Sequence, residues 1–362
     1  MSLPRWLSLK PVVPHDWADV TPDWMTRAIA SHHPDAVIDR VDIVMRDDGT
    51  NRRARFALHY ASGTGPAQVF VKAHAAAHRM VHLRNGNLFN EARLFAHGDR
   101  IPCEHPAVYL AVPDYPRLDF LLVMEDITLR GGDPRDATRP LTPAQVASGL
   151  EELAKVHRIF WGLSARSHRG LGWVKPWAVS KGWTMGLGKR IPIGLERTAG
   201  KLPGGIDALS GDAVLEYWTR YVRSLSQGPH TLLHGDAHIG NCYVLPGDKV
   251  GWLDWQVVRR GNWSQDLGYF LVGALTEADR RAHERELVEH YRQALDLGAN
   301  TPSPEEVWHR YRLSPAYGLA IWLSTLGTDG WQRHEISLAL AQRYAAAMVD
   351  LDTANALDEA GV

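Results

Sequence analysis

The stretch that decides the fold is Leu232-Leu233-His234-Gly235-Asp236-Ala237-His238-Ile239-Gly240-Asn241, which Asp254 follows thirteen residues later at the end of Gly251-Trp252-Leu253. An aspartate, an asparagine five residues on and a second aspartate after a short apolar strand are typical of phosphoryl-transfer sites. In that chemistry Asp236 would accept the proton of an attacking hydroxyl, while Asn241 and Asp254 would bind Mg²⁺ against nucleotide phosphates. A simple turn held by side-chain hydrogen bonds is the alternative for His-Gly-Asp alone, but the full run with its strand favours the chemical interpretation.

The run resembles the catalytic loop of the aminoglycoside phosphotransferase/choline kinase-like family, which reads His-Gly-Asp-x-His-x-x-Asn. The resemblance implies a bilobal α+β fold of the protein-kinase type, with a small antiparallel-sheet lobe followed by a larger, mostly helical lobe. It implies a small-molecule kinase that uses ATP and Mg²⁺ and transfers phosphate to an alcohol group. On this basis Asp236 is the catalytic base, Asn241 and Asp254 are the magnesium ligands, and His234 braces the loop. His238 fills another fixed position of the motif.

Downstream of the loop, one residue supports the resemblance and another departs from it. Asp266 resembles the family aspartate that braces the catalytic loop from the start of a helix. Gln256 stands where many relatives have an acidic residue, and a neutral amide is a poorer metal ligand than a carboxylate. We therefore expect one magnesium ion to bind and leave a second ion open.

The upstream half of a kinase site is also present. Lys72 lies in the apolar run Val69–Ala73, where a lysine is costly unless it has a partner, and Glu91 follows nineteen residues later in a helix-like segment. Taken singly, each has an ordinary explanation, as an edge-strand charge and a solvated helix face. Together they resemble the strand lysine and helix glutamate that position nucleotide phosphates in kinases.

The remaining nucleotide contacts are assigned by position in the order of elements. Gly49, Thr50 and Asn51 occupy the phosphate-loop position between the first two strands, although this turn is not a Gly-x-Gly-x-x-Gly loop. Glu125 and Ile127 follow the strand that resembles the kinase hinge, where adenine would bind backbone groups. The two predicted domains are a nucleotide-binding lobe over residues 1–126 and a catalytic and acceptor-binding lobe over residues 127–362.

Composition limits the other function classes. The 362 residues carry a net charge of −1, so no global field recruits nucleic acid or a membrane surface. Cys103 and Cys242 are too few for a disulfide framework, which favours a reducing cytoplasm. No transmembrane run and no signal-peptide core are found, and the oligomeric state is left open.

Hydrophobic periodicity and capping residues predict the main elements. Predicted strands are Val37–Met45, Ala54–Tyr60, Gln68–Ala73, Ala107–Val112 and Leu118–Met124. Predicted helices are those beginning at Thr21-Pro22 and Thr142-Pro143, and the segments Leu88–His97, Thr276–Leu295 and Glu335–Leu351.

Residues 163–205 form a basic segment that is predicted to be a long, glycine-rich excursion near the acceptor. It holds eight basic residues and one acid, namely Arg166, Arg169, Lys175, Lys181, Lys189, Arg190, Arg197, Lys201 and Glu196, with Trp173, Trp177 and Trp183 between them. A solvated basic face is one explanation. The other is an anionic or partly apolar acceptor, such as a hydroxyacyl-coenzyme A, because a polycationic aminoglycoside or choline would be repelled. A nucleotide-binding pseudokinase and a basic nucleic-acid-binding module are the alternatives from other classes.

Overall fold

The computed structural model describes residues 12–49, 51–96, 101–168 and 170–362. The chain divides into two compact units. The first comprises Met1–Arg100 with His105–Gly132, and the second comprises Ile101–Glu104 with Asp133–Val362.

The first unit is built on a five-stranded antiparallel sheet. Its elements are α1 (Pro22–Ile29), β1 (Val37–Asp48), β2 (Asn51–Ser62), β3 (Gln68–His74), α2 (Arg79–Asn85), α3 (Asn90–Phe95), β4 (Val108–Asp114) and β5 (Asp119–Glu125). The strands lie in the order β1-β2-β3-β5-β4, and each of the five matches a predicted strand. The predicted helix Leu88–His97 is shorter than expected, since α3 covers six residues and His97 lies outside the described residues. Helix α2 was not predicted.

The core of the first unit lies between α1 and one face of the sheet. Thr21 caps α1 by accepting a hydrogen bond from Trp24 N, and the proline at the first position needs no backbone partner. Trp17 is 1% exposed and meets Phe56 edge to face at 6.1 Å between ring centres. The apolar faces of β2 and β3 therefore have a continuous layer of side chains to pack against.

The second unit is mostly helical and carries two small sheets, β10-β7 and β6-β8-β9. Its strands are β6 (Asp133–Pro134), β7 (Thr231–Leu233), β8 (Cys242–Val244), β9 (Val250–Trp252) and β10 (Arg259–Gly261). Its helices are α4 (Pro143–Ile159), α5 (Lys181–Arg197), α6 (Gly211–Ser224), α7 (Ser264–Ala274), α8 (Glu277–Leu295), α9 (Pro304–Leu313), α10 (Pro315–Leu326), α11 (His334–Asp350) and α12 (Thr353–Glu359).

The long helix α4 begins where the sequence predicts. Thr142 accepts a hydrogen bond from Gln145 N, and Gln145 Oε1 accepts one from Thr142 N, which is a complete capping box. Residues at steps of three and four along the sequence give this helix one apolar face, which is buried. Its members are Val146, Leu150, Leu153, His157 and Phe160.

The segment predicted to be an excursion, residues 163–205, contains a helix that was not predicted. A seventeen-residue helix, α5, begins after Ser180, whose side chain caps it, and contains Pro192. Proline inside a helix removes one backbone hydrogen bond, and glycine has low helix propensity, so the sequence alone argues against a helix here. Arg169 lies outside the described residues.

Helix α5 is held by close packing on α10. Gly194 is buried, and a Cβ placed on it would lie 2.0 Å from the carbonyl oxygen of Leu323. A Cβ on Gly327 would lie 2.1 Å from the carbonyl oxygen of Arg190 in the same way. The glycines thus allow the two backbones to touch, and this packing outweighs the weak local propensity of α5.

Among the residues that the structure describes, no helix is long and apolar enough to cross a membrane.

Candidate active site

The catalytic-loop residues connect β7 to β8 in the second unit. Strand β7 ends at Leu233, and a short 3-10 turn at Ile239–Asn241 leads into β8. Asp266, in the first turn of α7, accepts hydrogen bonds from His234 N at 2.6 Å and from Gly235 N at 2.9 Å. The predicted brace from the start of a helix is therefore present, and it fixes the backbone immediately before Asp236.

Two separate constraints require a glycine at position 235 of the loop. Its φ is +81°, a conformation that L residues with a Cβ rarely adopt. A Cβ there would also lie 2.3 Å from the carbonyl oxygen of Val257. The tight turn at Gly235 positions Asp236 at the end of the strand.

His234 connects the loop that carries Asp236 with the segment that carries Asp254. Its Nε2 donates to Leu253 O at 2.8 Å, while its Nδ1 accepts from Asp236 N at 3.3 Å. The ring is fully buried and lies against the rings of Trp252 and Trp255, at 5.3 and 4.6 Å between centres. A neutral imidazole with its proton on Nε2 satisfies both bonds, so this side chain joins Asp236 to the residue before Asp254.

Asn241 and Asp254 present oxygen atoms suited to a hard cation. Asn241 Nδ2 donates to Asp236 O at 2.9 Å and to Asp236 Oδ2 at 3.1 Å, which orients the amide so that its oxygen points the other way. Asp254 has a left-handed backbone, with φ +58°, and its Oδ1 accepts from Gln256 N at 3.4 Å. One amide oxygen and one carboxylate fit Mg²⁺, which takes few protein ligands and completes its shell with phosphates and water.

Gln256 does not add a second charged ligand, because its side chain is neutral and only 5% exposed. Within the described ranges, no group of three or more His, Cys, Asp or Glu side chains is arranged to hold a metal ion.

The surroundings of Asp236 disfavour the charged form of its carboxyl group. Burial, together with the nearby negative charge of Asp254, raises the pKa of the Asp236 carboxyl to about 7, while the hydrogen bond from Asn241 opposes this shift. The side chain nevertheless keeps 32% of its surface exposed, so an external molecule can reach it. A carboxylate with a pKa near neutrality is well matched to the removal of a proton from an alcohol.

His157 is a functional residue that was missed in the sequence, where it counts only as part of the apolar face of α4. It is fully buried, and its Nε2 donates to Asp266 Oδ2 at 3.2 Å, since a carboxylate only accepts. The hydroxyl of Tyr291 lies 2.6 Å from its Nδ1. His157 therefore orients the Asp266 carboxylate, which in turn holds the catalytic loop. In the sequence, a single histidine among the apolar residues of this helix face was the feature that could have identified it.

His238 lies beside Asp236 in an aromatic environment. Its ring meets Trp322 of α10 at 5.2 Å and Tyr269 of α7 at 5.8 Å between centres, in edge-to-face arrangements. Burial and the proximity of His234 lower the pKa of His238 to about 3, so its ring is neutral at physiological pH.

In the first unit, Lys72 of β3 and Glu91 of α3 form the predicted pair. Lys72 Nζ donates to Glu91 Oε2 at 2.6 Å, and the two side chains are 5% and 4% exposed. A buried charge is stable only when it is paired. The distance thus supports the prediction that Glu91 holds the lysine in place, whereas its contact with phosphates stays a prediction.

The first and last of the three predicted phosphate-loop residues are hydrogen-bonded to each other through their backbones. Gly49 N donates to Asn51 O at 3.0 Å, and Asn51 is the first residue of β2, buried and in register with His74. Thr50 lies outside the described residues. Phosphate binding by these three residues stays a prediction.

The predicted hinge residues already have partners within the first unit. The Glu125 carboxylate accepts from Arg130 Nε at 2.5 Å, and Glu125 N donates to Ala107 O at 2.8 Å. Ile127 begins a 3-10 helix, and its carbonyl oxygen accepts from Gly132 N at 2.9 Å. Adenine binding at these two residues stays a prediction.

Two of the cations in the basic segment serve the packing of α5. Arg190 donates from Nε to Ser324 Oγ at 2.7 Å. Arg197 donates from Nη1 to Leu326 O at 2.6 Å and lies 2.8 Å from the carboxylate of Asp329. The charge available to an acceptor is therefore smaller than the sequence count implies.

One protein-family model matches part of the chain. Residues 206–299, about a quarter of the chain, match the model of the ecdysteroid kinase-like family, and this range contains the whole catalytic loop and Asp266. No curated protein sequence matches the chain significantly.

Solved structures resemble nearly the whole chain. A spectinomycin phosphotransferase in complex with ADP and spectinomycin has a TM-score of 0.53 at 11% identity, over 92% of this chain and 99% of that one. A choline kinase from Cryptosporidium parvum has a TM-score of 0.50 at 10% identity, over 93% of this chain and 95% of that one. At such identities the likeness establishes the fold, so the predicted α+β fold of the protein-kinase type is confirmed. The fold is therefore that of protein-kinase-like phosphotransferases, and the predicted catalytic loop lies within the range that is similar to the ecdysteroid kinase-like family.

Proposed function

We propose that this protein is an ATP- and Mg²⁺-dependent kinase that transfers the γ-phosphate to a hydroxyl group of a small molecule. One observation carries the proposal: the His234 ring hydrogen-bonds both the backbone of Asp236 and the residue before Asp254. A base and a metal ligand are thereby held at a fixed separation, and phosphoryl transfer depends chiefly on such positioning.

Each residue has a role in this proposal. Asp236 accepts the proton of the acceptor hydroxyl, and its raised pKa makes it a stronger base than an ordinary aspartate. Asn241 and Asp254 hold the metal ion, and Lys72, fixed by Glu91, binds the nucleotide phosphates. Bound Mg²⁺ would neutralise charge on the phosphate oxygens.

The acceptor proposed is an anionic or partly apolar hydroxylated molecule. Support for apolar character comes from Tyr269 and Trp322, which lie against His238 next to the base. Support for anionic character comes from the basic segment, weakened by the structural use of Arg190 and Arg197. A hydroxyacyl-coenzyme A satisfies both criteria, and a hydroxylated steroid, which the family name suggests, satisfies the first.

Two alternatives are kept. An aminoglycoside or choline-type kinase is suggested by the names of the solved relatives, and aromatic rings do bind quaternary amines. A nucleotide-binding pseudokinase is disfavoured because Lys72, Asp236, Asn241 and Asp254 are all present. Neither nucleic acid nor a membrane is expected as a partner, and a reducing cytoplasm is the proposed setting because two cysteines are too few for a disulfide framework.

The test is ADP release with Mg·ATP and a panel of acceptors. The panel contains a 4-hydroxyacyl-coenzyme A, a hydroxylated steroid, an aminoglycoside and choline, with Asp236→Asn as the inactive control. Turnover with the first or second compound that is lost in the control supports the proposal. Turnover with the aminoglycoside or choline alone contradicts the acceptor class, and ATP binding without turnover on any compound favours the pseudokinase.

A further inference from the structure

A gap of defined size separates Asp236 from His238. His238 Nε2 lies 3.9 Å from Asp236 Oδ2, too far for a direct hydrogen bond. Both side chains are partly exposed, at 13% for His238 and 32% for Asp236. The gap is therefore open to a molecule that approaches the base.

The protonation of His238 is set by its other nitrogen. Gly240 N donates to His238 Nδ1 at 3.0 Å, so Nδ1 must carry a lone pair rather than a proton. A neutral imidazole in this state has its only N–H on Nε2, the atom nearest to Asp236. His238 thus presents a hydrogen-bond donor to the same space into which Asp236 presents an acceptor.

The direction of that donor is fixed by packing. The rings of Trp322 and Tyr269 confine the imidazole from two helices. Gly240 confines it from the loop, because a Cβ on Gly240 would lie 2.7 Å from His238 Cε1. A ring held on three sides cannot turn away from Asp236 without displacing one of these neighbours.

We propose that His238 Nε2–H donates a hydrogen bond to the acceptor oxygen while Asp236 accepts the proton of the same oxygen. The inference rests on the kinase function proposed above and names a further residue that touches the substrate. An oxygen about 2.8 Å from each atom spans the 3.9 Å gap with an angle of roughly 90° at the oxygen.

This arrangement accounts for all four directions around an alcohol oxygen. One direction is its carbon, one is the O–H bond aimed at Asp236, and one lone pair accepts from His238. The remaining lone pair is left to attack phosphorus. As the new O–P bond forms and the bond from phosphorus to the ADP oxygen breaks, the proton passes to the Asp236 carboxylate.

The decisive variant is His238→Asn. Asparagine can keep the hydrogen bond from Gly240 N through its side-chain oxygen, because Asn caps such turns well, but its amide cannot reach the position of Nε2. With Mg·ATP and water or glycerol as the acceptor, we expect kcat for ADP release to fall by about 10- to 100-fold. The KM for Mg·ATP should stay within about twofold, and the melting temperature should not change.

Two further variants separate positioning from folding. His238→Gln, with a longer amide, should recover part of the lost kcat, and Gly240→Ala should lower kcat by displacing the intact ring. Equal kcat for wild type and His238→Asn overturns the inference while leaving the kinase function standing. Loss of kcat together with a lowered melting temperature and a raised KM for Mg·ATP reduces His238 to a structural cap and also overturns it. No ADP release by the wild-type protein with any acceptor overturns the inference and the proposed function together.

Discussion

Replacing Asp236 with asparagine is expected to stabilise the protein while abolishing phosphoryl transfer. The folded state raises the pKa of this carboxyl from 3.8 to about 7, so keeping it ionised at pH 8 costs free energy. A gap of about three pKa units corresponds to an upper limit of about 4 kcal/mol. Because the side chain is 32% exposed, solvent screening reduces the expected gain to about 1–2 kcal/mol. Asparagine keeps an oxygen that can accept from Asn241 Nδ2.

The pH dependence gives this prediction its sign. Between about pH 4 and pH 7 the unfolded chain has lost this proton while the folded chain keeps it, so the stability of the wild-type protein falls as pH rises. The variant has no such group and lacks that loss. Urea unfolding of both proteins at pH 4.5, 6 and 8 should show the difference growing with pH. If the variant is less stable than wild type at pH 8, or if the difference in their free energies of unfolding does not change with pH, the folded state does not disfavour the charged Asp236 carboxyl and the reasoning is refuted.

Three further perturbations follow from the geometry. Lys72→Met or Glu91→Leu alone should lower the free energy of unfolding by about 3–5 kcal/mol because each removes the buried ion-pair partner of the charge that remains, whereas the double variant should recover most stability but no kinase activity. Asp254→Asn should raise the Mg²⁺ concentration needed for half-maximal activity by more than about tenfold, with a titration of ADP release as the measurement. Gly194→Ala should lower stability by about 1–3 kcal/mol through overlap with the α10 backbone. Gly182→Ala, on the same helix in open space, is its control and should not destabilise, so similar thermal melts for these two glycine variants would contradict the packing argument.

The catalytic loop was predictable because its geometry is encoded locally. Asp236, Asn241 and Asp254 lie within nineteen residues of one another, and the short strands β7, β8 and β9 with a tight glycine turn suffice to bring them together. The pairing of Lys72 with Glu91 was predictable for another reason, since a lysine inside an apolar strand demands a partner.

What the sequence did not reveal depends on distant elements. His157 reaches Asp266 from a helix more than a hundred residues earlier, and only its burial and hydrogen bonds distinguish it from an ordinary member of an apolar face. Helix α5 has glycine and proline where a helix predictor expects alanine or leucine, so its existence follows from packing on α10 rather than from local preference. The adenine and phosphate contacts predicted for Gly49, Asn51 and Ile127 would involve backbone groups, which side-chain identity does not specify.

The contact of Gly194 with the backbone of Leu323 has a consequence for how substitutions on α5 can affect α10. Helices that touch through their backbones have no soft side-chain layer between them, so their spacing cannot drift by small steps. Met185 and Ile193 are exposed side chains of α5, so they can be replaced without a shift of α10. Trp322, which is adjacent to Leu323 on α10, then keeps its position. Substitutions at surface positions of α5 should therefore leave unchanged the distance from Asp236 to the aromatic rings beside it.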